Sequence, residues 1–429
     1  LQFELEGQTW QFASMPFGLA IAPRIFTKVM SPVVSVLRTR GIRCVVYLDD
    51  LLLLSTSKQD SERAASMAVG LLQSLGFLIN KEKSALVPQQ QQRFLGVVVD
   101  STRLRWGPTK ERVRRIRRET AKWRNRAKRL LWPTIPQLRR VIGLLVYMRH
   151  GVPETAVRKC HLQTCLRLAM QRVGVKNYAE QRRAPCRLSL QAIEELDWWA
   201  RIPIGTTCPI LWPTPTATST SDASDDAIGW LSEVDGTRTT GRGALPGALL
   251  GKSSAVRELF GIRAAVLATL QRMGPQREWT SLRVRSDNQA ALHCLRRGYS
   301  TRPAMMAMAR ETVLAALSRN IWLVQEYLPG EKNVMADALS RYESPLNEAT
   351  VDPWVLPWVQ RQLRGPTPSM DVFARAANTQ LQRFLTWRQD PRATGMDALS
   401  TKWDAVSWAF PPPPLLLATL QRFEEQDQC

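Results

Sequence analysis

Two arrangements of acidic side chains in this sequence could do chemistry. In residues 44–55, C-V-V-Y-L-D-D-L-L-L-L-S, two short apolar runs meet at Asp49 and Asp50. The pattern predicts a hairpin. Buried between strands, two adjacent carboxylates would be desolvated at high cost, so they belong at the exposed turn, where they can share a cation. Mg2+ suits such a pair, with Mn2+ as a substitute, because it takes oxygen ligands and leaves positions open for substrate phosphates. A plain surface turn fits the same residues, and Tyr47-Leu48-Asp49-Asp50 alone does not separate the two. The second arrangement is dispersed: Asp222, Glu258, Asp287 and Asp337 each fall on a different predicted element. Taken singly, each is an ordinary surface acid.

The elements that must position the second set are legible. Residues 218–224 and 228–232 read as strands, and Asp235-Gly236 is a strong hairpin-turn signal. A helix follows, with Ser253 or Ser254 as its cap, Glu258 near its start, and Leu259, Ile262, Val266 and Leu270 on one stripe. Leu282, Val284 and Ser286 alternate toward Asp287-Asn288, and Ile321, Leu323, Gln325 and Tyr327 alternate through a further strand. Leu328-Pro329-Gly330 breaks that strand, and residues 333–341 form a helix bearing Asp337. Four acids on separate elements could converge at one end of a mixed sheet.

The first pair gains meaning from its surroundings. Met15-Pro16-Phe17-Gly18-Leu19-Ala20 with Pro23 and Phe26 precedes it, Gly76-Phe77-Leu78-Ile79-Asn80-Lys81-Glu82-Lys83 follows, and then comes Phe94-Leu95-Gly96. These blocks and their order resemble the palm of reverse transcriptases. The resemblance implies that Asp49 and Asp50 bind catalytic metal, and that Phe17, Gly18 and Tyr47 lie beside template or nucleotide. It further implies that Lys81 or Lys83 faces a leaving phosphate, that Gly96 belongs to the turn gripping the primer end, and that RNA template and DNA primer are partners. Reverse transcriptases also need an Asp from a strand upstream of the Pro-Phe-Gly motif. The acids before that motif are Glu4 and Glu6, on an expected hairpin around Gly7, and neither fits the family's pattern. Two ions about 3.5 to 4 Å apart need more than two adjacent carboxylates. The chain is therefore expected to be an internal piece that does not polymerise as given.

The dispersed acids, in the order D-E-D-D, resemble those of ribonuclease H. The match is specific at Thr220-Ser221-Asp222-Ala223-Ser224 and at Ala336-Asp337-Ala338-Leu339-Ser340-Arg341. It implies that Asp222, Glu258, Asp287 and Asp337 hold two Mg2+ ions and that the RNA strand of an RNA/DNA hybrid is cut. Ribonucleases H often carry a His in the final loop; Glu331 and Lys332 stand there instead, which points to slower turnover.

Charge agrees with a polyanionic partner. The chain has 429 residues, 59 basic and 37 acidic, a net of +22. Between Arg103 and Arg140 there are 15 basic residues and two acids, Glu111 and Glu119, so this segment supplies +13 of that sum. A solvated helix face is the plain alternative, but one so poor in acids repels itself unless phosphates meet it. Arg112, Arg115 and Lys122 are the expected phosphate contacts, and Trp106, Trp123 and Trp132 are read as core anchors. No apolar stretch approaches the roughly 18 residues of a spanning helix, and the first residues are no signal peptide, so an intracellular, cytoplasmic or nuclear location without a membrane partner is expected. Cys160, His161 and Cys165 read as ordinary buried groups rather than a metal site.

The expected fold is α+β and α/β multidomain. It comprises a partial palm at 1–102, a basic thumb-like helical segment at 103–150, a connection at 151–215, a ribonuclease H-like mixed sheet with helices at 216–342, and a divergent tail at 343–429. The tail, with Met370-Asp371-Val372-Phe373, Asn378 and Trp408-Ala409-Phe410-Pro411-Pro412, resembles a worn phage-type DNA adenine methyltransferase segment. An active copy needs an amide or carboxylate before the prolines. Phe410 cannot accept a hydrogen bond, so the tail is expected to be structural or to bind a partner. Residues 7–12, 46–50 and 286–291 resemble Pol polyproteins of DIRS-type, tyrosine-recombinase retrotransposons, with gypsy-like elements the nearest alternative; the remaining parts of such a polyprotein are then partners. The competing reading is a decayed or domesticated copy that binds nucleic acid without catalysis.

Overall fold

A computed structural model describes residues 2–16, 18–174, 178–341, 351–376, 378–387 and 390–426. The expected nucleotide-side residue Phe17, and the expected boundary between Tyr342 and Glu343, lie outside the described residues. The chain divides into two compact units, Leu1–Arg112 and Val113–Cys429.

The first unit is built from short local pairings. Strands β1 (Gln2–Leu5) and β2 (Gln8–Gln11) form a hairpin about Glu6 and Gly7, which both take positive φ, as the sequence predicts for Gly7. Helix α1 (Ala22–Thr39) and helix α2 (Lys58–Ser74) pack with the hairpin of β3 (Arg43–Tyr47) and β4 (Asp50–Leu54) around Leu37, Ile42, Cys44, Ala64 and Ala68. Ser57 caps α2, its hydroxyl accepting from the Asp60 amide at 3.0 Å. Strands β5 (Gln91–Phe94), β6 (Val97–Asp100) and β7 (Arg105–Pro108) make an antiparallel meander. Residues 105–108, expected in a helical segment, are therefore strand: Asp100 accepts from the amides of Thr102 and Arg103 and turns the chain back onto β6.

The second unit opens with a helical layer: α3 (Lys110–Ala127), α4 (Ile135–Val146), α5 (Cys160–Val173), α6 (Tyr178–Arg183) and α7 (Leu190–Ala200). Its core joins Val113, Ile116 and Trp123 of α3 to Leu138 and Leu145 of α4, Leu162 of α5, and Leu196 and Trp199 of α7. Trp123 is buried and Trp132 packs on the same core, so both are anchors. The proline-rich stretch 203–215 holds only a two-residue strand, β8 (Cys208–Pro209).

A five-stranded mixed sheet follows. Strands β9 (Pro215–Ala223), β10 (Ala227–Val234) and β11 (Thr237–Ala244) are antiparallel, with Asp235 and Gly236 both at positive φ in the turn. Helix α8 (Ser254–Met273) leads to β12 (Thr280–Ser286), and helices α9 (Gln289–Arg297) and α10 (Pro303–Leu317) lead to β13 (Ile321–Tyr327). Spatial order is β11-β10-β9-β12-β13, with β12 parallel to both neighbours. That order, antiparallel on one side of β9 and parallel on the other, is the mixed sheet with helices that the sequence leads one to expect. The expected stripe of α8, Leu259, Ile262, Val266 and Leu270, is buried against the sheet. Helix α11 (Val334–Arg341) lies on β10, and Gly229 permits its approach: a Cβ there would collide with the Ala336 carbonyl and sit 2.5 Å from the Ser340 amide.

Helix α12 (Val355–Leu363) is followed by two small parallel pairs, β14 (Met370–Asp371) with β17 (Ser407–Trp408) and β15 (Leu385–Thr386) with β16 (Gly395–Met396). Met370, Val372, Leu385, Ala398 and Trp403 form their core. The chain then runs through helix α13 (Leu416–Gln426), where Leu415 and Ala418 join Leu231 of β10 and Met335, Ala338 and Leu339 of α11 in one apolar cluster.

Candidate active site

The sheet brings the dispersed acids to one edge. Asp222 sits near the end of β9, opposite Gly229, and Asp287 directly follows β12. Because β9 and β12 are parallel neighbours, their carboxyl ends coincide. Asn288 then caps α9, its side-chain oxygen accepting from the Ala291 amide at 3.0 Å, so the chain leaves the strand abruptly and Asp287 stays at the edge. Glu258 enters from α8. One turn later Gly261 lets that helix close on β9, since a Cβ would lie 3.3 Å from the Asp222 carbonyl oxygen. Ser253 is the cap residue of α8, though its hydroxyl accepts from the Arg302 guanidinium at 2.7 Å rather than from its own helix.

Carboxylate oxygens of Asp222, Glu258 and Asp287 all lie within 4.8 Å of one another. Asp222 and Glu258 are 4% and 5% exposed, and Asp287 is half-buried. Asp337, in the first turn of α11, is close enough that its charge raises the pKa of both Asp222 and Asp287, and it accepts from Arg341 at 2.6 Å. Three of the four predicted acids therefore meet, and the charge of Asp337 reaches two of them.

Electrostatics make this cluster unable to carry its full charge alone. Burial pushes Asp222 up to about 6, opposed by a hydrogen bond from Ser340 and reinforced by Asp337 and Asp287. Burial pushes Glu258 higher, to about 9, with Asp222 and Asp287 adding to the effect. Glu258 Oε2 is buried with no protein partner. An all-oxygen donor set with an orphaned acceptor and suppressed ionisation fits hard divalent cations: a bound Mg2+ or Mn2+ would neutralise the charge the protein leaves uncompensated. Ser340, missed as a site residue, donates to Asp222 Oδ2 at 2.5 Å from a fully buried hydroxyl, and also donates to the Asp337 carbonyl at 2.9 Å. Its place in A-D-A-L-S-R, three residues after Asp337, was the available signal.

The first pair is differently placed. Tyr47 faces Asp50 across the β3–β4 ladder, and Leu48-Asp49 form the turn, with Leu48 at positive φ. Tyr47, Asp49 and Asp50 are exposed, and among the described residues neither Asp belongs to a group of three metal-ligating side chains. Beside the hairpin runs a groove of about 980 Å3 lined by Arg24, Ser31, Arg38, Val46 and Tyr47 among others. Gly18 takes φ +92, a conformation other residues resist, and Lys81 is exposed in a turn. Gly96 completes the two-residue turn between β5 and β6, where a Cβ would collide with the Arg112 guanidinium.

On α3, Val113, Ile116, Thr120, Trp123 and Ala127 are buried, while Arg114, Arg115, Arg118, Lys122 and Arg126 are exposed. The helix thus buries one face and presents cations on the other. Cys160 and His161 do gather, with Glu195, into a possible ligand group. Yet the buried Glu195 carboxylate accepts from the His161 and Leu162 amides at 3.1 and 3.0 Å, and so caps the start of α5. Burial and Glu195 push the Cys160 thiol up to about 12, so in the metal-free fold it stays protonated and donates to Glu195.

Residues 1–99 match the family Reverse transcriptase (RNA-dependent DNA polymerase). The chain is 25% identical over 359 residues to the retrovirus-related Pol polyprotein from transposon opus of Drosophila melanogaster, covering 80% of this chain and 32% of that protein. It is 27% identical over 159 residues to the enzymatic polyprotein of cauliflower mosaic virus (strain D/H), covering 37% of this chain and 21% of that one. The chain therefore spans about a third or less of these relatives. Among solved structures, the foamy viral protease-reverse transcriptase in complex with RNA/DNA hybrid covers 82% of this chain and 43% of its own at 15% identity and a TM-score of 0.41. Ribonuclease H1 from Halobacterium salinarum covers 29% of this chain and 92% of its own at 20% identity and a TM-score of 0.24. Residues 1–99 carry a reverse transcriptase domain, and the chain is a homologue of a retrotransposon Pol polyprotein.

Proposed function

We propose that this chain is the reverse transcriptase and ribonuclease H portion of a retrotransposon Pol protein, and that its sheet domain hydrolyses the RNA strand of RNA/DNA hybrids. The observation that carries the reading is the meeting of Asp222, Glu258 and Asp287 from three elements within 4.8 Å, with Asp337 alongside. These four residues would hold two Mg2+ ions, Mn2+ substituting. Bound there, the metal supplies Lewis acidity, activating water for attack on the phosphate and stabilising the departing 3′ oxygen. Ser340 holds Asp222 in one rotamer, and the buried walls around Glu258 exclude bulk water. The exposed cations of α3, with Arg115 and Lys122 central, take the phosphates of the hybrid, and Arg112 beside Gly96 is assigned to the same nucleic acid. Asp49 and Asp50 are the metal-binding pair of the polymerase domain, with Gly18, Tyr47 and Lys81 toward template, primer and nucleotide.

The five-part division stated above remains our reading of the domains, with the rest of the polyprotein as partner and an intracellular setting in which the thiols stay reduced. The finer placement of the parent element as DIRS-type rests on the sequence blocks alone; the similarity to the transposon opus polyprotein does not add to it. No helix among the described residues is long and apolar enough to cross a membrane. A labelled RNA/DNA hybrid incubated with the chain and Mg2+ tests the proposal. Cleavage by the natural chain, lost in Asp222→Asn with hybrid binding retained, supports it; binding without cleavage in both favours the decayed, non-catalytic copy.

A further inference from the structure

We propose that the C-terminal segment, residues 398–426, is a brace for α11 that sets Asp337 and Ser340 at the carboxylate cluster, and so governs how tightly that cluster takes a divalent cation. The proposal rests on reading the cluster as a metal site. Helix α11 has only eight residues, too few to be stable by itself. Its inner side, Ala336 and Ser340, is pressed on Gly229 of β10. Its apolar side chains Met335, Ala338 and Leu339 share one buried cluster with Leu231 of β10 and with Leu399, Leu415 and Ala418 of the tail, and Leu415 and Ala418 are 2% and 0% exposed. Helix α11 is thus the middle layer between the sheet and α13, and the tail forms a third layer.

Polar ties fix that layer in register. Arg238 of β11 bridges Glu233 of β10 at 2.7 Å and Glu425 of α13 at 2.5 Å, with its side chain mostly buried. Thr240 of the same strand bonds Asp397. Arg422 pairs with Glu425 and donates to the carbonyls of Ser400 and Thr401, while the Trp403 amide donates to Gln426 at 2.8 Å, so α13 and the segment before it move as one piece. Removing this layer would expose one side of α11 while leaving α8, β9 and β12, which carry Glu258, Asp222 and Asp287, on a core of their own. The loss would fall on Asp337 and on the Ser340 bond to Asp222. Cation affinity depends on ligands being held in place before binding.

Full-length variants test this by Mn2+ calorimetry and amide hydrogen exchange, with Asp222→Asn as the blank for metal bound elsewhere. Ala418→Glu forces a carboxylate into the contact with α11, and Leu415→Ala thins it; Leu417→Ala, on the exposed side of α13, is the control. We expect Ala418→Glu to weaken Mn2+ binding at the cluster about tenfold or more and to speed exchange of α11 amides about a hundredfold while α8 and β12 stay protected. Leu415→Ala acts in the same direction with smaller effect, and Leu417→Ala matches the natural chain. If Ala418→Glu unfolds the whole unit, Leu415→Ala decides. Faster exchange in α13 with α11 protection and Mn2+ affinity unchanged overturns the proposal. A natural chain without Mn2+ binding beyond the blank overturns the metal-site reading instead, and α11 exchange still reports whether the brace exists.

Discussion

The two carboxylate sites differ in what water does for them. Asp49 and Asp50 stand on an exposed hairpin turn, where solvent can stabilise their charge and the fold asks nothing of a cation. Asp222 and Glu258 are almost wholly buried, share a 4.8 Å cluster with Asp287, and have their ionisation suppressed. The buried site stores uncompensated charge in the metal-free fold. Substitutions that remove charge should therefore act oppositely on hybrid cleavage and on metal-free stability at the cluster, and act on neither of these two at the hairpin.

The largest expected effect is at Asp222. Asp222→Asn is expected to lower hybrid cleavage at least about 100-fold, since an amide cannot replace the central anionic ligand. The same change removes one of the mutually repelling charges, so in chelator the variant should melt at or above the natural chain. A variant that cleaves normally would break the comparison at its stronger end.

Proton linkage gives the next effect. Glu258 and Asp222 hold protons in the folded, metal-free chain up to about pH 9 and about pH 6, whereas the unfolded chain releases them near the ordinary carboxylate values. Between those limits the folded state binds more protons, so stability falls as pH rises. The stability is fully present below the ordinary carboxylate pKa and lost by about pH 9. Melting in chelator is expected to drop by about 10 °C between pH 6 and pH 9, a few kcal/mol for a domain of this size, and Mg2+ should reverse the drop. Glu258→Gln should flatten the dependence; a flat profile in the natural chain would remove the coupling from the buried site.

Much of this contrast was legible before any coordinates. Strand alternation toward Asp287, the α8 stripe and the Asp235-Gly236 turn are local patterns, and local patterns survive folding. The four acids were legible because each ends or opens such an element. Four features were not. Ser340 reads as one more polar residue on a helix until α11 is laid on Gly229, which aims its hydroxyl at Asp222. Glu195 reads as a surface acid of α7, and only tertiary packing turns it into the cap of α5, 34 residues from His161. The tail reads as a separate, worn module, yet Leu415 and Ala418 bury against α11; an apolar face announces that something covers it without saying what. Residues 105–108 were misplaced because basic composition outweighed a turn made by Asp100.

A third, smaller effect separates charge that binds phosphate from charge that binds metal. Each exposed cation of α3 that meets a phosphate releases close to one counterion, so replacing Arg115 and Lys122 with Ala should reduce the slope of log affinity against log salt by about 2. Hybrid affinity should fall about tenfold at moderate salt. The Mg2+ concentration for half-maximal cleavage should not move, because neither residue belongs to the cluster. An unchanged slope would return α3 to an ordinary solvated helix face.

The smallest effect tests the other end of the comparison. Asp50→Asn replaces an exposed carboxylate by an amide of nearly the same shape at the register position facing Tyr47. The backbone pairing of Asp50 is made by its main chain and survives the change, and the hairpin's core contacts, Leu51 and Leu53 against Cys44 and Ala64, are untouched. Melting in chelator should shift by less than about 2 °C. Hybrid cleavage should stay within about twofold, since the cluster on the sheet holds its own ligands. A larger shift, or one that Mg2+ reverses, would mean that the hairpin also stores uncompensated charge, and the distinction between a site made by exposure and a site made by burial would fail.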